Sequence, residues 1–161
     1  MNASQRTRIR LALSVVCLAC SASRTFAQPA KEAPLVTVQV RTILATKAHG
    51  RIDERLRPLA EQLKRTFQLT GFELRGETSK KVKLNEAARI DLPDPYRLEV
   101  TPVSVSDGKV TLQITVFEKK GRESKRKLDT KVTLTKGKSQ LIGGLDVSGG
   151  QLVLAISGST S

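Results

Sequence analysis

The side chains that could do chemistry are few and far apart. His49 is the single histidine of the 161-residue chain. A Ser-His-Asp arrangement or a histidine-rich metal site would have to be built around this one residue, in a loop beside Gly50. The two cysteines, Cys17 and Cys20, both lie near the N-terminus, so the rest of the chain has no thiolate nucleophile or thiolate metal site. Asp91, Asp94 and Glu99 come close together around Pro93 and Pro95. Paired carboxylates can act as acid and base or hold calcium, and a hydrolase using these three is one alternative reading. Their spacing matches no calcium loop, however, and turn residues between two strands account for them. Gly143, Gly144, Gly149 and Gly150 precede no helical pattern, so they cannot cradle a phosphate on a helix N-terminus. No catalytic residue, metal ligand or cofactor is expected, and the chain is read as a non-enzyme.

Cationic residues are the one surface feature above background. Lys119, Lys120, Arg122, Lys125, Arg126 and Lys127 surround Glu123, and Lys80, Lys81 and Lys83 form a second cluster. The first group reads as a flexible polyanion-binding finger, for anionic lipid, polysaccharide or nucleic acid; the alternative is a hairpin tip kept soluble by its charge. Stacking recognition of single strands is not expected. Beyond residue 27 the only aromatics are Phe67, Phe72, Tyr96 and Phe117, and Phe67 and Phe72 are assigned to the core.

The elements that must carry these residues begin after an export signal. Arg6, Arg8 and Arg10 precede an apolar run from Leu11 to Cys20 and a small-residue stretch ending at Ala27, the pattern of a secretory signal peptide. The run is shorter than the roughly 20 residues that span a bilayer. Cleavage is expected after Ala27, with lipidation at Cys20 as the alternative. The mature chain, periplasmic or secreted, then has no transmembrane helix and no cysteine. Its formal charge falls from +13, because the signal removes four of 28 cations and no acids, giving 24 − 15 = +9.

Residues 28–34, with Pro29 and Pro34, read as a linker, and 35–161 as a single β-rich domain. Val36, Val38, Val40, Thr42 and Leu44 alternate as a half-buried strand. Ile52, Leu56, Leu59, Ala60, Leu63 and Phe67 then share one face of a helix. Asp53 is its N-cap unless Pro58 is the first helical residue, Glu61 and Arg65 are placed to pair, and Gly71 ends the helical region. Short strands follow at Phe72–Glu77, Lys81–Leu84 and Ala88–Leu92.

The longest alternation runs from Tyr96 to Phe117 around Asp107-Gly108, the residues of a tight hairpin turn. That turn sets Val105 against Val110 and Val103 against Leu112. An extra residue near Thr101 and Pro102 then brings Val100 opposite Ile114 and Leu98 opposite Val116. Lys136-Gly137 is expected to turn Val132 against Leu141, and Gly149-Gly150 to set Val147 against Leu152 and Leu145 against Leu154. The expected fold is mainly β (α+β), an antiparallel β-sandwich or partly open barrel of about eight or nine strands with one amphipathic helix. The helix stripe is expected over or against the edge of the face formed by Leu98, Val100, Ile114 and Val116.

The stretch Thr130-Lys131-Val132-Thr133-Leu134-Thr135-Lys136-Gly137-Lys138-Ser139-Gln140-Leu141-Ile142-Gly143-Gly144-Leu145 resembles the strand-turn-strand segment of secretins, outer-membrane pores of bacterial secretion and pilus systems. The proline-rich segment that follows Gly-Gly-Leu in that family is replaced here by Asp146-Val147-Ser148-Gly149-Gly150, and the chain has no room for ring-forming domains or pore strands. The resemblance therefore implies an envelope protein with a similar β-element. The whole chain also looks like exported bacterial proteins of no assigned function. The expected role is a non-catalytic, envelope-associated binding or structural domain, whose partner is an envelope protein, a secretion-system component or a polyanion.

Overall fold

Apolar residues at every second position force strands to share a core, and here they do so in two sheets. The computed structural model describes residues 34–160. The expected signal peptide, with Cys20 and the linker up to residue 33, lies outside the described residues. The first sheet is made of β1 (Leu35–Thr46), β2 (Gly71–Lys83), β7 (Ser139–Val147) and β8 (Gly150–Thr160), in the order β2-β1-β8-β7. The second is made of β3 (Ala88–Asp91), β4 (Tyr96–Ser106), β5 (Lys109–Lys120) and β6 (Glu123–Thr135), in the order β3-β4-β5-β6. The named strands pair antiparallel throughout, and a lone parallel bridge joins Ile52 to Phe72. The sheets are separate, so the fold is a sandwich rather than a barrel. The two strands expected between Phe72 and Leu84 are one strand, in which Arg75 is an extra residue bulged out of the ladder with β1.

The central hairpin turns at Asp107 (φ 50°) and Gly108 (φ 70°), the left-handed pair that a two-residue turn requires. Val105 faces Val110, Val100 faces Ile114 and Leu98 faces Val116, as the alternation implies. The bulge falls one residue later than expected. Val103 is the unpaired residue, and Pro102 instead of Val103 faces Leu112. Pro102 has no N–H to lose, is buried in line with Val100, and accepts the Asn85 N–H at 2.7 Å through its carbonyl.

Two other expected registers are overturned. Lys136-Gly137 does not close a hairpin; it carries the chain from the second sheet to the first, with Lys138 N–H donating to Thr135 O at 2.9 Å. Val132 faces Leu112, while Leu141 faces Ala155 in the other sheet. An arch between sheets and a hairpin within one both send alternate residues to the core, so the pattern cannot separate them. The last turn lies at Ser148-Gly149, so that Val147 faces Gly150 and Leu145 faces Leu152. A side chain at Gly150 would strike the carbonyl oxygen of Ala45, 2.2 Å from its Cβ position, and this close approach keeps glycine in the strand rather than in the turn. Gly143-Gly144 supplies the compensating bulge. The extra residue switches the face to which the odd-numbered side chains of β7 point, so Leu141 lies under the helix and Leu145 in the core between the sheets.

The helix begins as a 3-10 segment, Glu54–Leu59, and continues as α1 (Ala60–Phe67). Asp53 caps it by accepting the Arg55 N–H at 3.0 Å. Pro58 lies in the 3-10 segment, ahead of the α-helical ladder that it would interrupt. Gln68, in the left-handed conformation (φ 48°), ends the helix in place of Gly71, which opens β2. Glu61 and Arg65 form no ion pair among the described residues.

The largest correction concerns what the helix covers. Leu98, Val100, Ile114 and Val116 are buried, but against Val36, Val38, Val40, Leu152, Leu154 and Ile156 of the first sheet. Leu56, Leu59 and Leu63 pack on the opposite, outer side of that sheet, on Ile43, Ala45, Phe72, Leu141, Val153 and Ala155. The described residues therefore form three layers with two cores. β1 and β8 carry apolar residues on both faces where the helix covers them, which is why Ile43-Leu44-Ala45 and Leu152-Val153-Leu154-Ala155-Ile156 break the alternation.

Candidate binding groove

Because α1 covers only one end of the first sheet, the other end of the outer face is bare. The odd-numbered residues of β1 and β8 record the boundary. Ile43 and Ala45, with Val153 and Ala155, lie beneath the helix; Thr37 and Gln39, with Ser157 and Ser159, lie beyond it. Registers align these polar residues into rows. Ser79, Gln39, Ser157 and Ser139 form one row across all four strands, with Thr37 beside Ser159 in the next. Two depressions of about 490 and 470 Å³ open here and share Arg41, Gly137 and Ser139, so they form one groove. Pro58, Leu59 and Gln62 of the helical segment wall one end, and Lys136 and Lys138 flank the corner between the sheets.

Side-chain bonds fix the floor. Glu77 on β2 receives the Gln39 amide and also Arg41 Nε at 3.3 Å, while Ser157 Oγ donates to Gln39 Oε1 at 3.5 Å. Among the described residues Arg41 is held through Nε, and its two terminal nitrogens have no partner there. Lys136 and Lys138 have no ion pair among the described residues, and no carboxylate lines either depression. The arrangement offers a planar two-donor fork, two exposed ammonium groups and a bed of hydroxyls, suited to holding an anion that carries further polar groups.

The expected cationic finger has a different constitution. It is a two-stranded ribbon, paired out to Lys120 opposite Glu123, in which Lys127 is an extra residue. Lys119 lies 4.0 Å from Asp91, Lys120 4.0 Å and Lys127 3.2 Å from Glu118, and Arg126 2.8 Å from Asp129. Only Arg122 and Lys125 of the six have no carboxylate partner among the described residues. In the second cluster, Lys80 donates to the Arg89 carbonyl at 2.6 Å and ties the edge of one sheet to the edge of the other. Lys81 and Lys83 are exposed.

The three carboxylates do not converge. Asp91, with 84% of its side chain exposed, pairs with Arg97 at 3.6 Å, and Glu99 pairs with Arg89 at 2.9 Å on the outer face of the second sheet. Asp94, which precedes a cis Pro95, lines a separate cleft of about 270 Å³ with Arg75 and Leu152. His49 is engaged in holding its loop: Nδ1 accepts the Arg51 N–H at 3.3 Å, so the neutral ring carries its proton on Nε2, 2.9 Å from Glu73. Gly71 makes room for that ring, since a Cβ there would lie 2.5 Å from Nδ1. Asp53 is the one acid with a strong shift. The side chain and backbone N–H of Arg55 hold its pKa at about 2.

Among the described residues, no group of three or more His, Cys, Asp or Glu side chains is placed to hold a metal, and no helix is long and apolar enough to cross a membrane. Sequence reasoning passed over the groove, although Thr37-Gln39-Arg41 and Ser157-Ser159 stand out as polar every-second residues beside apolar ones. Charge density drew attention to the ribbon, although Glu118 and Asp129 on its own strands, with Asp91 on β3, pair with four of its six cations. No family model matches the chain, and no curated protein or solved structure matches it either.

Proposed function

We propose that the chain is an exported, non-catalytic binding domain of the cell envelope. One observation carries the reading: a sheet whose outer face is sealed by a helix at one end leaves the other end as an open groove floored with hydroxyl and amide groups. A sandwich kept only for its stability has no need of a groove whose floor is fixed by side-chain bonds. Asp91 and Glu99 lie on one exposed face and are each paired with an arginine, while Asp94 lines a different cleft, and this counts against hydrolysis through paired carboxylates, which must flank one reacting bond. Export is supported by the charge and apolar pattern of residues 1–27.

The test is co-sedimentation of the purified protein with envelopes isolated from a strain lacking it. Retention in the pellet, reduced when the floor is filled by Ser157→Tyr, is the expected result. A protein that stays in the supernatant at every ionic strength, or that pellets equally with and without Ser157→Tyr, contradicts the reading.

A further inference from the structure

We infer that the groove binds an anionic glycan, an extended polymer of hydroxyl-bearing units with carboxylate, sulfate or phosphate groups. The inference rests on the binding-domain reading and names the ligand. Three observations select it. First, the terminal nitrogens of Arg41 have no partner among the described residues while Nε is pinned by Glu77, so the guanidinium presents a pre-oriented fork of the kind that grips planar or tetrahedral oxyanions with two parallel bonds. Second, Lys136 and Lys138 add positive charge at the rim with no ion-pair partner among the described residues, and Glu77, the acid bonded to the floor, is engaged by Gln39 and Arg41. Third, the floor is made of Ser139, Ser157, Ser159, Thr37 and Gln39, groups that exchange hydrogen bonds with hydroxyls.

The other polyanions fit less well. A membrane surface would need apolar residues to insert, and the one exposed large hydrophobic residue among those described is Leu35, 43% exposed at the start of β1. Protein interfaces centre on aromatic or aliphatic anchors, and the floor has none. The groove contains no aromatic ring, so a neutral sugar could not be held by stacking, and charge must supply most of the affinity. Two joined depressions leading from Ser79 on β2 to Gln62 on α1 give a path for several units of a chain rather than a seat for one small ion.

Binding is measured by calorimetry against dextran sulfate and polygalacturonate, with neutral dextran, polyglutamate and anionic phospholipid vesicles as comparisons. Both anionic glycans should bind with a salt-dependent affinity, and neutral dextran should not. Replacing Arg41, Lys136 and Lys138 together by Gln should weaken binding by about tenfold or more, and Arg41→Lys alone, which keeps the charge and removes the fork, by several-fold. Ser139→Ala with Ser157→Ala should weaken it by about threefold at an unchanged salt slope, the scale of a lost neutral hydrogen bond.

Changing Lys119, Lys120, Arg122, Lys125, Arg126 and Lys127 to Gln should leave groove binding within about twofold, apart from the general loss of positive field. Three results would overturn the inference: an unchanged affinity in the triple Gln variant, equal affinity for polyglutamate with no effect of the serine changes, or binding to vesicles alone. Retention on envelopes without binding to either glycan would overturn the ligand assignment and leave the binding-domain reading standing. Loss of both would remove both. Circular dichroism of each variant confirms that the sandwich is intact, since all the altered residues lie on the surface.

Discussion

The two halves of the first sheet's outer face are built on the same strands and have opposite chemistry. Where α1 lies, Ile43, Ala45, Val153 and Ala155 are buried beneath Leu56, Leu59 and Leu63; further along the same strands, Gln39 and Ser157 are only half-buried and lie outside that cluster. The alternation that places a side chain outward does not say whether water, a helix or a ligand will meet it. Side-chain type at those positions does, because an apolar residue left bare or a hydroxyl buried without a partner each costs free energy. The change at Arg41 and Ala155 is therefore the edge of the helix's footprint, and everything beyond it is surface by composition.

Breaking the covered half should have the largest effect. Leu63→Ala removes a fully buried side chain between helix and sheet and should cost about 2–5 kcal/mol in urea unfolding, matching Ile114→Ala in the core between the sheets. If Leu63→Ala were as mild as a surface change while Ile114→Ala was severe, the helix would not be sealing the sheet. A smaller cost is expected at the helix's last turn. Gly143 accommodates Phe67, whose Cε1 would lie 2.2 Å from a Cβ placed there, so Gly143→Ala should cost about 1–3 kcal/mol by overcrowding. Phe67→Ala in the same chain should recover much of that loss, and a double-mutant cycle measures the coupling.

In the bare half, Ser157→Val should shift stability by no more than about 0.5 kcal/mol while lowering retention on envelope material. A cost as large as that of Leu63→Ala would mean that something in the fold covers the groove. The smallest effect is at the helix start and depends on pH. The Asp53 carboxyl titrates at about 2 in the folded protein against 3.8 for the free group, so its contribution is present above about pH 4 and is lost as pH falls through 2. Melting temperatures of the parent and Asp53→Asn should differ most at pH 6, with the gap narrowing steadily between pH 4 and pH 2; a gap at pH 2 as wide as at pH 6 would contradict the linkage.

How much of this was legible in the sequence depends on which contacts were local. The hairpin at Asp107-Gly108 was, because a two-residue turn fixes its own register. The Pro102 region was legible to within one residue, since the parity of Val100 and Val105 demands a bulge but not which residue leaves the ladder. The Lys136-Gly137 corner was not, because the same alternation serves a hairpin and an arch. The helix's position was written in the unbroken run Leu152–Ile156, whose two buried faces require covers on both sides, but a reading that paired the longest apolar face with the only helix missed it. The ribbon's cations were visible, and of their acid partners Glu118 and Asp129 lie within three residues of Lys120 and Arg126, whereas Asp91 approaches Lys119 only through the folding of the second sheet.

The most direct test of the groove is an amide-resolved titration of the isotopically labelled protein with dextran sulfate. The account predicts that the signals of Gln39, Arg41, Ser139, Ser157 and Ser159 shift progressively and saturate, while those of Lys119 to Lys127 shift little. Saturating shifts confined to the ribbon, with the groove signals unmoved, would contradict it.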